Sequence, residues 1–146
     1  MKRNLLLLWT MLLPILASAY YARIDGICYK LTEKKAEVAR DPNNHYRDTV
    51  IIPAAVTYRG VRYRVTSIGE FAFYECDSLK SVVIPNGVTA ISNSAFQECS
   101  SLTSLSIPNG VTSIGDFAFY GCNSLTSVKI PRSVTNIGKS AFQNCI

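Results

Sequence analysis

Five cysteines and one histidine are the residues of this chain best suited to chemistry, and four of the cysteines keep a strict interval. Cys76, Cys99, Cys122 and Cys145 are each 23 residues apart, while Cys28 stands alone. A zinc site asks for ligands that converge at short spacing, usually with a Cys-x-x-Cys pair, and this series has none. In an oxidising compartment neighbouring copies could come within disulfide range. Each of the four, however, follows an Ala-Phe pair at offsets that share one face. The preferred reading is therefore free thiols buried side by side as small apolar fillers. His45 lies in the polar link Asp41-Pro42-Asn43-Asn44 and reads as a solvated loop histidine without a nucleophile to serve. Glu70, Glu75, Asp77, Glu98 and Asp116 are scattered rather than paired, and no phosphate-binding loop or nucleotide motif occurs. The expectation is a protein that is not an enzyme and uses no cofactor or metal.

The interval that spaces the cysteines spaces everything else. Residues 78–100 read SLKSVVIPNGVTAISNSAFQECS, and residues 101–123 rewrite the line as SLTSLSIPNGVTSIGDFAFYGCN. Leu79, Leu102 and Leu125 keep the same step, as do Ile68, Ile91, Ile114 and Ile137, and Phe73, Phe96, Phe119 and Phe142. A fixed period of ~20–29 residues with Leu-x-x-Leu-x-Leu character marks a solenoid of leucine-rich repeats. One copy offers Leu79, Val82, Ile84, Val88, Ile91, Ala95, Phe96 and Cys99 to the interior, too many for a single coil to bury alone. Stacking solves this, because each copy covers the next. The fold class expected is a mostly β repeat solenoid with a parallel inner sheet, short helical turns around Ala95–Cys99, and an N-terminal β-hairpin cap. Pro53, Pro85, Pro108 and Pro131 end the strands at corners that need no positive φ, as in a type I turn begun by proline.

Three segments frame the repeats. Lys2 and Arg3, an apolar run from Leu5 to Leu16 and the small residues Ala17-Ser18-Ala19 read as a signal peptide over 1–19, too short for a membrane anchor. Residues 20–47 alternate as a β cap, and 48–146 carry the solenoid, interrupted by an inserted hairpin at 56–65 with a turn at Arg59-Gly60. No transmembrane segment is expected once the signal is cleaved. By the period a Leu should fall at 148, yet the sequence given ends at Ile146 without a polar cap. The expectation is an open C-terminal end, met either by further chain or by self-association with a second copy.

The whole sequence carries a formal charge of +5. Without the signal segment the excess sits before residue 66, with Arg59, Arg62 and Arg64 close together. No recognition motif accompanies them, so nucleic acid is not an expected partner. Arginines on an exposed strand that discourage edge pairing account for them.

The phrases Val65-Thr66-Ser67-Ile68-Gly69, Ile84-Pro85-Asn86-Gly87-Val88-Thr89 and Ala-Phe-x-x-Cys resemble the BspA-like leucine-rich repeats of surface and secreted proteins. The likeness covers 48–146, and Ile24-Asp25-Gly26-Ile27 also resembles that family's N-terminal cap. It implies a curved solenoid with a parallel sheet on the inner face and a role in adhesion. The expected function is a secreted or cell-surface module that binds a protein or glycan on a host or neighbouring cell. The expected contact strip is Thr49, Ile51, Ser81, Val83, Ser104, Ser106, Ser127 and Lys129 on the concave sheet face. Tyr58, Arg59, Arg62, Tyr63 and Arg64 are the alternative interface, with Tyr74 and Tyr120 on the outer turns as further candidates. A structural spacer with no ligand of its own is the rival reading.

Overall fold

A computed structural model of the chain describes residues 19–145, so the signal segment assigned to 1–19 lies, apart from Ala19, outside the described residues. The chain opens with β1 (Tyr20–Ile24), β2 (Ile27–Thr32) and β3 (Lys35–Val38), an antiparallel meander. After a polar link come β4 (Asp48–Ile51) and the hairpin of β5 (Ala55–Tyr58) and β6 (Val61–Ile68). All three hairpins turn through two residues of positive φ, Asp25-Gly26, Glu33-Lys34 and Arg59-Gly60. This is the two-residue turn whose twist matches that of the flanking strands.

Beyond β6 every pairing is parallel. Strands β7 (Leu79–Val83) and β9 (Ser104–Ser106) join β4 in a three-stranded sheet, in the order β4-β7-β9. Strands β8 (Ala90–Ile91), β10 (Ser113–Ile114) and β11 (Asn136–Ile137) extend the cap into a second sheet, in the order β1-β2-β3-β6-β8-β10-β11. Ser81 pairs with Ser104, and Ala90 with Ser113 and then Asn136, so partners along the stack are 23 residues apart. Sequence reasoning foresaw a single inner sheet. The coil has two, because Val88–Ile91 is also extended and bonds to its copies.

Between the sheets lies one apolar core built as columns. All eight inward residues of the second coil, from Leu79 to Cys99, are buried. Phe73, Phe96, Phe119 and Phe142 stack with centroids 4.9, 5.1 and 5.1 Å apart and planes within 9°. Ile68, Ile91, Ile114 and Ile137 pair in register on the second sheet.

The third side of the coil corrects an expectation. Among the described residues the Ala-Phe-x-x-Cys segments form no helix, only overlapping turns. Ala72, Tyr74 and Cys76 donate backbone N–H groups to carbonyls three residues back, while Phe71, Phe73 and Glu75 donate to Asn93, Ala95 and Gln97 of the next coil. A helix would turn every amide back along its own axis. Here alternate amides point along the stack, and positive φ at Phe71 and Glu75, repeated at Ser94 and Glu98, makes that alternation. A left-handed non-glycine residue costs about 1–2 kcal/mol. Each inter-coil hydrogen bond contributes about 0.5–1.5 kcal/mol, enough to offset it.

The coils approach closely at more than one glycine position. A Cβ on Gly69 would lie 2.6 Å from the Val38 carbonyl oxygen, and one on Gly115 would lie 2.5 Å from the Asn93 amide nitrogen. At the corners, Val88, Val111 and Val134 each donate to the carbonyl of the proline three residues back, with no positive φ between.

The columns begin in non-repetitive sequence. Val38 pairs with Ile68 and its carbonyl takes the Gly69 amide, as the Ile68 carbonyl takes that of Ser92. Tyr46 lies against Phe73 at 4.8 Å and starts the ring column. Its hydroxyl donates to the Ala39 carbonyl at 3.1 Å and accepts the Cys28 amide at 2.9 Å. Tyr29 is equally buried, yet its hydroxyl has no partner among the described residues. Burial pushes its phenol up to about 12.

These two tyrosines make opposite predictions. Tyr46→Phe strands a buried amide and a carbonyl and should lower the unfolding free energy by about 1–3 kcal/mol. Tyr29→Phe removes an unpaired hydroxyl and should leave it unchanged or raised. Urea titration of both variants checks this, and equal losses would refute the assignment of partners.

Candidate interaction surfaces

The predicted strip maps onto the three-stranded sheet, where the pleat turns alternate residues outward. Thr49, Ser81 and Ser104 form one file of register partners, and Ile51, Val83 and Ser106 the next. Ile51 is 67% and Val83 49% exposed, so two β-branched residues stand side by side in solvent. Thr49, Ser104 and Ser106 are also exposed, and Ser81 is half-buried. Ser127 and Lys129 were expected as a fourth row, but residues 126–130 form no strand. A cleft of about 300 Å³ opens there between Leu125, Val128, Ile130, Phe142 and Cys145.

The alternative interface resolves into two parts. Tyr58 and Tyr63 are half-buried against the core, which makes them anchors of the inserted hairpin. Arg59 lies over the Tyr58 ring at 5.2 Å. Of the five candidate residues, Arg59, Arg62 and Arg64 are the exposed ones. A second groove, about 480 Å³, runs along the other sheet between Glu37, Glu70, Asn93 and Asn136, and no residue of the predicted strip lines it.

The polar link contains what sequence reasoning missed. The Asp41 side chain is 1% exposed and accepts the Asn43 and His45 amides at 3.0 and 3.1 Å. It also meets Arg23 at 2.9 Å and the His45 ring at 3.0 Å. His45 is therefore a bonded member of the cap, about half exposed, and not a freely solvated residue. Burial alone would raise the Asp41 pKa, but those four hydrogen bonds outweigh it and hold the carboxyl below its usual range. A sequence signal existed: Asp followed two and four residues later by amides it can cap is an Asx turn.

The cysteine column is a row of donors as well as fillers. All five cysteines are free thiols. Cys99, Cys122 and Cys145 point Sγ at the carbonyls of Phe73, Phe96 and Phe119, at 2.9, 3.1 and 3.2 Å. Cys76 has no earlier coil and uses Asn44 Oδ1 at 2.8 Å instead. The neighbouring thiols of Cys122 and Cys76, together with burial, push the Cys99 thiol far up, away from the reactive thiolate. Among the described residues, no three His, Cys, Asp or Glu side chains are placed to hold a metal ion, and no helix is long and apolar enough to cross a membrane.

Parallel strands repeating along a stack, with columns of Leu, Ile and Phe inside them, define a leucine-rich repeat protein. The BspA type leucine rich repeat region matches residues 56–146 in six copies, and this chain belongs to that family. Among solved structures it is similar to a leucine-rich repeat protein from Bacteroides ovatus, with 35% identity and a TM-score of 0.76 over 86% of this chain and 33% of that one. It is similar to another from Bacteroides capillosus, with 29% identity and a TM-score of 0.73 over 80% of this chain and 86% of that one. A Treponema pallidum leucine rich repeat protein aligns at 25% identity with a TM-score of 0.61, over 87% and 64%. The chain thus spans a third of the first of these relatives. A search of curated proteins gives no match.

Two measurements test the chemistry. The folded Asp41 pKa lies below its unfolded value, so its contribution is complete above about pH 4 and is lost as pH falls through the folded pKa. Asp41→Asn should therefore cost about 1.5–3 kcal/mol at pH 7 and progressively less as the pH is lowered through the folded pKa, read from urea midpoints. In the native protein a thiol reagent should label Cys28 and Cys145, both part-exposed, and spare Cys76, Cys99 and Cys122 until denaturant is added. Rapid native labelling of Cys99 would contradict the buried column.

Proposed function

We propose that this chain is a secreted or cell-surface binding module, a solenoid of 23-residue coils that holds a protein or glycan ligand by contact and without chemistry. The observation that carries the reading is the exposed pair of Ile51 and Val83 on a hydroxyl-rich sheet face. Two neighbouring β-branched side chains stand in solvent outside the core, which lies on the opposite face of the same strands. Apolar contact at the centre of a polar rim is how interfaces gain affinity. Family membership supports the scaffold, since repeat proteins present extended surfaces. Export is supported by the leader-like pattern of residues 1–19.

The test is a screen of the chain from Tyr20 onward against immobilised extracellular proteins and glycans, repeated with Ile51→Glu/Val83→Glu. The double change should weaken the captured ligand at least tenfold, about 1.4 kcal/mol, while the melting temperature holds. Binding indifferent to both charges would remove the sheet from the proposal. A chain that captures nothing would favour the spacer.

A further inference from the structure

The turn side of the coil carries aromatic side chains that the core does not use. Phe71 and Tyr74 meet edge to face at 5.5 Å and 85°, and Phe117 and Tyr120 do the same at 5.9 Å and 70°. Phe71 is 38% exposed, and the other three are half-buried. Phe71 and Phe117 both have φ of 56°, in the left-handed region that disfavours bulky side chains. The same position in the intervening coil is Ser94, and in the last coil Ser140, with Gln97 and Gln143 in place of the tyrosines. Ser94, 6% exposed, is recessed between the two aromatic pairs. The fold thus accepts Ser and Gln at these positions and does not need the rings.

The pairs sit on alternate coils. Adjacent coils are one strand spacing apart, so the pairs repeat at roughly 10 Å along a straight line. A linear β-1,4-linked sugar chain offers a matching interval: successive pyranose rings are turned over, so a like face recurs every second sugar, at about this spacing. The apolar C–H face of a pyranose packs on an aromatic ring, and its rim of hydroxyls needs acceptors and donors alongside. Glu75 and Glu98 follow the aromatic positions in the turn, and Arg40 covers one face of Tyr74 at 5.3 Å, which leaves Phe71 as the more open ring of that station.

We propose that Phe71–Tyr74 and Phe117–Tyr120 form a two-station platform for a β-1,4-linked glycan, running along the stack on the turn side and separate from the sheet strip. Two stations bind one chain together, so affinity depends on length: a disaccharide reaches one pair, and a hexasaccharide spans both.

The experiment uses the chain from Tyr20 onward and calorimetric titration with cellohexaose, chitohexaose and, as an α-linked control, maltohexaose. At least one β-linked hexasaccharide should bind, with maltohexaose and the matching disaccharide at least tenfold weaker. Replacing Phe71 and Phe117 by Ser and Tyr74 and Tyr120 by Gln copies the intervening coil. It should abolish binding with an unchanged β-type circular dichroism spectrum. Changing one pair alone (Phe71→Ser/Tyr74→Gln) should remove the preference for the hexasaccharide over the disaccharide. Ile51→Glu/Val83→Glu should bind these sugars as the unaltered chain does, so loss of the sheet reading leaves this one standing. The proposal is overturned if no β-linked hexasaccharide binds at millimolar concentration, if the fourfold change leaves binding intact, or if the sheet variant abolishes it.

Discussion

The separation of neighbouring coils is set by the hydrogen bond between strands, about 4.8 Å, and nearly every residue choice follows from it. Phenylalanine rings at that interval lie almost parallel, at 4.9–5.1 Å, whereas rings free to choose often tilt. At Gly69 and Gly115 a Cβ would crowd the coil before, while the coil between them carries Ser92 at that position. Where a hydroxyl can reach the coil before, it does: Thr89, Thr112 and Thr135 each donate Oγ1 to the carbonyl of the threonine one coil earlier. Side chains in most buried columns are alike because the spacing of the coils repeats from level to level.

That rule explains what could be read from the sequence. A residue whose neighbour is its own copy announces itself by repetition, so the buried Leu, Ile, Phe and Cys positions were legible from spacing alone. The first level of the stack was not. Val38, Asn44 and Tyr46 do for the first coil what Ile68, a phenylalanine carbonyl and Phe73 do for the second, but they come from unrelated stretches and are of different types. Their pairing depends on the path of the chain between them, and period cannot report a path. The turn side failed for another reason. Ala95, Phe96 and Cys99 share a face at offsets that suit a helix, and offsets say nothing of the sign of φ at Ser94 and Glu98.

The candidate strip was legible to the extent that alternation is. Once Val82 and Ile84 face inward, Ser81 and Val83 must face out, and the sheet keeps that assignment through β4, β7 and β9. It gave no warning that the row of Ser127 and Lys129 leaves the ladder, since its apolar residues match those of the rows before. Surface and core thus obey different rules here. Inward columns are held to apolar residues of similar size, as at Val82, Leu105 and Val128, while the column of 71, 94, 117 and 140 alternates between Phe and Ser, and variation is what a recognition surface requires.

The direction of the hydrogen bonds has a mechanical consequence. The amides of Phe73, Phe96 and Phe119 all donate to the coil that follows, so these bonds lie along the axis of the stack. Tension applied between the two ends loads them one level after another, as in a zip, and not all together, as in strands sheared past each other. The coil at the end yields first and its neighbour becomes the new end. Each level that opens frees 23 residues, roughly 80 Å of extended chain. A protein built this way lengthens in equal steps under load, and a tether made from it absorbs a pull by peeling, level by level, before the remaining stack is disturbed.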